Sequence, residues 1–203
     1  MSERTLTARQ PFAGLAAPNG EATLIAGVSL RCVSDRACIS VLARRGRAQD
    51  LLAAGRAAFG IELPPRPRLT SGATVSFLWA GRAAWTAYAR ALEPADLTER
   101  LRAAFGEAAS LVDQSDSRSS VELSGREART LLSRLVPVDL HSRAFQVGHT
   151  ALTLIGAVNG QVTLLDATPT FELTVTRAFA GSFWESLQEA ALGLSHGGPA
   201  HGP

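Results

Sequence analysis

Four groups of side chains have the types and spacing to do chemistry or bind a ligand. Asp113, Asp116 and Arg118 stand together in Val112-Asp113-Gln114-Ser115-Asp116-Ser117-Arg118, and paired carboxylates can divide acid and base work when their surroundings hold their pKa values apart. The same run of Asp, Gln and Ser is also what a turn needs, because short polar side chains bond backbone groups nearby. No nucleophile or metal ligand lies beside the pair in sequence, so an Asx-type turn is the expectation. His141 and His149 titrate near neutral pH and could carry a proton, but each is a lone histidine in or beside a loop, a setting more often structural or solvated. Cys32 and Cys38, six residues apart with no second pair and no nearby histidine cluster, suggest neither a zinc site nor a disulfide and read as small hydrophobes. Trp79, Trp85 and Tyr88 imitate a ligand-stacking box, yet aromatic side chains dominate ordinary cores, so they are expected to pack a helix on a sheet. The sequence contains no G-x-G-x-x-G after a strand, no P-loop, no H-E-x-x-H and no G-x-S-x-G. No residue is therefore assigned a catalytic, cofactor-binding or metal-binding role.

The elements that must position these groups centre on Leu111 to Leu140. Val121 and Leu123 alternate with Ser120, Glu122 and Ser124, the period of a half-buried strand. Ser124 stands three residues before Glu127, a capping box, and Ala128, Leu131, Leu132 and Leu135 then line one helical face up to Pro137. Upstream, Leu24 to Val33 alternates weakly and Cys38 to Leu42 more firmly. A helix with an apolar face of Ala48, Leu51, Leu52 and Phe59 follows, with Gly60 placed to cap it. Ile61 to Arg68 holds three prolines and reads as an extended connector outside the core. Thr74 to Trp79 and Ala84 to Ala89 read as a hairpin. Pro94 and the box from Asp96 to Glu99 open a second helix, with Leu97, Leu101, Ala104 and Phe105 inward, and Ser110 to Asp113 is a short strand. Downstream, His149 to Ile155, Gln161 to Leu165 and Thr170 to Thr176 are strand candidates, with Asn159-Gly160 as the turn between the first two. A last helix is boxed by Ser182 and Glu185 and buries Phe183, Leu187, Ala191 and Leu194.

The pair Leu51-Leu52 recurs 80 residues later as Leu131-Leu132, each on a helix after a strand. Two βαββ-containing halves thus predict an α+β fold with mixed or antiparallel sheets and helices packed on one face. The expected organisation is a flexible N-terminal arm over 1–22, a first half over 23–113, a second half over 114–194, and a disordered tail over 195–203 that takes in His196 and His201. A chain of 203 residues should bury roughly 70% of its unfolded surface. Its 20 basic residues against 18 acidic, with scattered arginines, argue against a dedicated nucleic-acid surface. No apolar run approaches the ~20 residues that span a bilayer, and Met1 to Gln10 lacks a signal-peptide core, so no membrane and a cytoplasmic location are expected.

Val112 to Gly125, with Ala128 to Leu132 and Val136-Pro137-Val138-Asp139-Leu140-His141-Ser142-Arg143-Ala144-Phe145, resembles the gamma subunit of heterotetrameric sarcosine oxidase, and Thr176 to Leu187 resembles that family's closing helix. The likeness covers most of residues 38–194. It implies a small, non-catalytic subunit in a complex with alpha, beta and delta subunits. That complex oxidises sarcosine to glycine, passes the one-carbon unit to tetrahydrofolate and releases hydrogen peroxide. FAD, FMN, NAD and tetrahydrofolate are then held by the other subunits, and none by this chain. A more remote likeness, through Val112-Asp113, Ser124-Gly125 and Asn159-Gly160 followed by Phe171 to Thr176, joins the fold to the folate-binding T protein of glycine cleavage. That family carries an acidic pair after the hairpin glycine; this chain has Thr163 and Leu164, with Asp166 two residues on. The remaining readings are a stand-alone folate-dependent one-carbon transferase and a general interaction module.

Overall fold

The computed structural model describes residues 10–17, 20–34 and 36–196. Stretches of period two form strands, and stretches of period 3.6 form helices. In chain order these are β1 (Thr23–Ile25), β2 (Val28–Val33), β3 (Ala37–Ala43), α1 (Ala48–Phe59), β4 (Leu69–Ser71), β5 (Ser76–Gly81), β6 (Ala84–Ala89), α2 (Pro94–Phe105), β7 (Ala109–Asp113), β8 (Arg118–Ser124), α3 (Ala128–Leu132), β9 (Thr150–Ile155), β10 (Val158–Leu164), β11 (Thr170–Thr176) and α4 (Ala180–His196). One sheet runs β1-β2-β8-β11-β10-β9 and the other β4-β5-β6-β3-β7. Neighbouring strands pair antiparallel throughout.

Helices cover one face of each sheet, because alternation puts the large apolar residues on that face only. Leu51 of α1 and Leu97, Leu101 and Phe105 of α2 pack on Ile39, Val41, Phe77 and Trp85. Leu131 and Leu132 of α3 and Phe183, Trp184 and Leu187 of α4 pack on Val121, Leu123, Val162, Phe171 and Leu173. At about 1.5–3 kcal/mol for each large apolar side chain fully buried, these two cores are the chief stabilising term.

The repeat seen in the leucine pairs extends to topology. β4, β5 and β6 lie to one side of β3 as β9, β10 and β11 lie to one side of β8. On the other side, β3 pairs with β7, whereas β8 pairs with β2, which precedes both repeats. Thr23–Val33 therefore belongs to the six-stranded sheet, with β8 to β11, and not to a 23–113 unit.

Several local expectations give way to tertiary demands. The three capping boxes do not form. Ser124 is held by ladder pairing with both Ser29 and Thr170, so it cannot fold back over a helix, and α3 starts after Glu127 with no side-chain cap. α2 is entered from Glu93 with Pro94 in its first turn. α4 starts at Ala180 after a 3-10 turn, and the Ser182 hydroxyl donates to the Phe179 carbonyl at 3.2 Å. Asn159-Gly160 lies inside β10; the turn is Gly156-Ala157, with Gly156 at φ 59°. Gly160 is needed for close approach instead, since a Cβ there would sit 2.7 Å from Ile155 Cδ1 and 2.9 Å from the Thr174 carbonyl oxygen. Leu63 of the proline-rich connector is buried in the core, and the Pro64 carbonyl accepts the Trp85 indole N–H at 2.8 Å. The 1–22 stretch is not wholly an unpacked arm: Phe12 is buried, its ring 5.6 Å from that of Trp184. One aromatic ring needs no periodicity to find a core. Residues 1–9, 18 and 19 of that stretch, and 197–203 of the tail, lie outside the described residues.

Candidate functional site: the polar seam between the sheets

Alternation that sends Phe171, Leu173 and Val175 to the helices sends Glu172 and Thr174 to the opposite face of β11. Ser120 and Glu122 of β8, Gln161 and Thr163 of β10 and Thr150 of β9 share that face, while Cys38, Ser40, Thr86 and Tyr88 line the helix-free face of the other sheet. The two faces meet. Gln161 donates through Nε2 to the Trp79 carbonyl at 2.7 Å and to Thr150 Oγ1 at 3.1 Å.

At the centre Arg36, just ahead of β3, reaches across to Glu172. Nη1 is 2.5 Å from Oε2 and Nη2 is 2.7 Å from Oε1, a bidentate pair with both side chains largely buried. Nη2 also donates to Ser120 Oγ at 3.0 Å, and Thr174 Oγ1 donates to Glu172 Oε1 at 3.2 Å. The guanidinium lies 3.9 Å from the centre of the Tyr88 ring, a cation–π contact. Tyr88 thus faces the other sheet and not a helix, contrary to the packing expected of it; Trp85 does pack under the helices.

Burial works against the Arg36 charge, but Glu172 above all holds it, so its pKa lies above the ordinary arginine value. Burial pushes the Tyr88 phenol up against the opposing pull of Arg36. Burial also raises the Cys38 thiol to about 11, against Arg36 and Arg118, and the Cys32 thiol to about 11. Cys38, Tyr88 and Arg36 keep their protons at neutral pH, and none is poised for acid–base work.

A hollow of about 660 Å³ opens between the sheets, lined by Ser40 and Thr86 on one side and by Leu152, Asn159 and Gln161 on the other. A second, of about 380 Å³, brings Cys38, Asp116, Arg118 and Arg177 together beside Arg36. Asp113 makes the expected Asx turn, its Oδ1 accepting from the Ser115 N–H at 2.9 Å and the Ser115 hydroxyl at 2.7 Å. Asp116 makes no such bond; its fully exposed side chain stands 3.7 Å from Arg177. His141 is exposed, and its Nδ1 accepts from the Arg143 N–H at 3.2 Å. His149 Nε2 is 2.7 Å from Arg68 Nη2, and its ring stands edge-on to Phe145. The histidines and the aspartate pair are not brought to one point.

The positions bearing on folate are equally committed. Thr163 is buried with its hydroxyl 2.9 Å from that of Thr150, and Leu164 is in the core. Asp166 Oδ1 accepts from Thr168 and Thr170 N–H groups at 2.9 and 3.0 Å. These residues do not supply the acidic pair that the T-protein resemblance implies for this position. Among the described residues no group of three or more His, Cys, Asp and Glu is placed to hold a metal ion, and no helix is long and apolar enough to cross a membrane. Sequence reasoning passed over Arg36, Glu172, Tyr88 and Gln161 as site residues. The polar face of Phe171 to Thr176 was the available signal for Glu172, and Arg36 had none.

The Sarcosine oxidase, gamma subunit family profile matches residues 45–193. The chain belongs to this family. It is 33% identical over 159 residues to the sarcosine oxidase subunit gamma of Arthrobacter sp, covering 77% of this chain and 76% of the relative. The corresponding subunit of Corynebacterium sp. (strain P-1) is 32% identical over the same length. Among solved structures, a chain of the heterotetrameric sarcosine oxidase from Corynebacterium sp. U-96, in complex with pyrrole 2-carboxylate, superposes with TM-score 0.80 and 26% identity. That match covers 95% of this chain and 99% of the other. The glycine cleavage aminomethyltransferase T from Bartonella henselae superposes with TM-score 0.59 at 16% identity, over 80% of this chain and 46% of the other, a likeness of fold.

Proposed function

We propose that this chain is the gamma subunit of a heterotetrameric sarcosine oxidase, working in the cytoplasm with alpha, beta and delta partners, and that it serves assembly and not chemistry. The observation that carries the reading is end-to-end correspondence with a chain of such a heterotetramer, 95% of one on 99% of the other, within the shown family. In this reading the complex oxidatively demethylates sarcosine: two electrons leave the substrate and reach dioxygen as hydrogen peroxide, glycine is released, and the one-carbon unit passes to tetrahydrofolate. FAD, FMN, NAD and tetrahydrofolate sit on the partner subunits. The seam supports the non-catalytic part, since Glu172 is engaged by Arg36 and Thr174, and Asp113 and Asp166 by their own turns.

The test is coexpression of this chain with its three expected partners, followed by purification and steady-state sarcosine oxidation normalised to flavin. The chain should copurify in fixed proportion, and Asp116→Ala should leave the normalised rate near wild type. A hundredfold loss with subunit composition unchanged would overturn the non-catalytic reading. Failure of the wild-type chain to copurify would overturn the subunit reading.

A further inference from the structure

We propose that the open mouth of the seam is the groove by which this chain docks on a partner subunit, and that the groove takes an extended segment carrying aliphatic side chains beside a carboxylate. The inference rests on the subunit reading above and names the surface.

Alternation should give a polar rim where a strand face meets water, but this rim is aliphatic. Leu152 and Leu154 of β9, 53% and 44% exposed, line the larger hollow opposite Gln161 and Asn159. Val112 of β7 and Leu42 of β3, 54% and 50% exposed, pair with Ser40 and Ala84, which line the same hollow from the other sheet. Residues paired across an antiparallel ladder share a face, so all four project on the seam side. β7 and β9 are each the last strand of their sheet. Such a rim remains in water if only a small molecule fills the hollow, whereas a protein segment laid along it covers all four side chains.

Charge identifies the occupant. Arg118 is the one charged residue among those lining this hollow, and no carboxylate lines it. Arg31 and Arg90 hold Glu122 and Arg36 holds Glu172, but Arg118 makes no ion pair among the described residues. A guanidinium at an exposed rim that a partner would cover is answered best by a bidentate carboxylate. A second copy of this chain would set Arg118 against an equivalent groove that offers no acid, which disfavours self-association.

The experiment measures assembly of the full chain with its coexpressed partner subunits. Leu154→Asp and Val112→Asp should each weaken incorporation at least tenfold, as should Arg118→Glu, while Arg118→Lys should lose less and Leu24→Asp, on β1, nothing. Melting of each free variant separates misfolding from lost docking. Hydrogen exchange on the wild-type chain supplies a readout free of mutation, because amides of β7 and β9 should slow on assembly. Wild-type incorporation by both aspartate variants, or unchanged exchange in β7 and β9 within an assembled complex, overturns the groove and leaves the subunit reading standing. A wild-type chain that joins no complex overturns both. Self-association abolished by the same substitutions would assign the groove to a second copy and overturn the partner proposed here.

Discussion

Removing Glu172 while leaving Arg36 in place should be among the most damaging single changes to this chain's polar residues. Glu172→Leu strips both carboxylate contacts from a guanidinium that is only 11% exposed, leaving Ser120 Oγ and the Tyr88 ring as its partners. Breaking a buried pair on one side costs about 3–5 kcal/mol, because the surviving charge is left without compensation. Hollows flank the pair and can admit water, so the lower end applies, about 3 kcal/mol, or roughly 6–12 °C in Tm at ~2–4 °C per kcal/mol for a chain of this size. Arg36→Met should cost at least as much, since the 5% exposed carboxylate would keep only the Thr174 hydroxyl. The double substitution Arg36→Met with Glu172→Leu removes both charges and should cost no more than about 1–2 kcal/mol, because apolar groups can replace a buried pair at little cost. Urea denaturation of the four proteins closes the cycle. The reasoning fails if the double costs the sum of the singles within ~0.5 kcal/mol, or if either single costs less than ~1 kcal/mol.

Three further outcomes are expected. Gly160→Ala should destabilise by about 1–3 kcal/mol, since its Cβ must displace Ile155 or the Thr174 backbone; an unchanged urea midpoint would contradict the close approach. Asp113→Ala should cost about 1 kcal/mol through the Ser115 bonds, while Asp116→Ala should change stability by less than ~0.5 kcal/mol, and the opposite order would misplace the turn. The Thr168 hydroxyl, then burial in opposition, then the Thr168 and Thr170 N–H groups, leave the Asp166 carboxyl below its ordinary 3.8. A folded value below the unfolded one gives stability that is present above about pH 3.8 and is lost as pH falls through the folded value. Thr168→Val should therefore move the Asp166 pKa upward in an NMR titration; no movement would refute the assignment.

The fold was legible wherever one physical signal sufficed. β11 runs Thr170 to Thr176 as its alternation predicts, α1 ends at the Gly60 cap, and Leu97, Leu101 and Phe105 face the core. What misled were signals that describe local chemistry and ignore tertiary occupation. Ser124 has the residues of a capping box, but its backbone is claimed by two strands at once. Asn159-Gly160 has the residues of a tight turn, but its glycine serves contact with Thr174 and the turn moves to Gly156. The seam was least legible. Ser120 and Glu172 read as the solvent side of two strands and Tyr88 as packing for a helix, and only the meeting of two sheets turns them into one buried network with Arg36.

That meeting follows from how the repeat closes. If each half supplied its own last strand, the two sheets could separate between Asp113 and Arg118 with little lost but the seam. Here the place beside β8 that corresponds to β7 beside β3 is filled by β2, which the chain lays down before the first sheet begins. The five-stranded sheet is thus threaded between two pieces of the other, with Arg36 in the short link from β2 to β3. A residue in that link lies at the crossing of both sheets by connectivity alone, so one long side chain there can reach Glu172 and Ser120 on one side and the Tyr88 ring on the other. Polar faces that would drift apart in water are held in register by a strand exchange and one charge pair. The pair contributes chiefly specificity of packing, since its Coulomb gain is largely offset by desolvation. What remains open is the far mouth of the seam, where Leu152, Leu154, Val112 and Leu42 have no counterpart among the described residues to cover them.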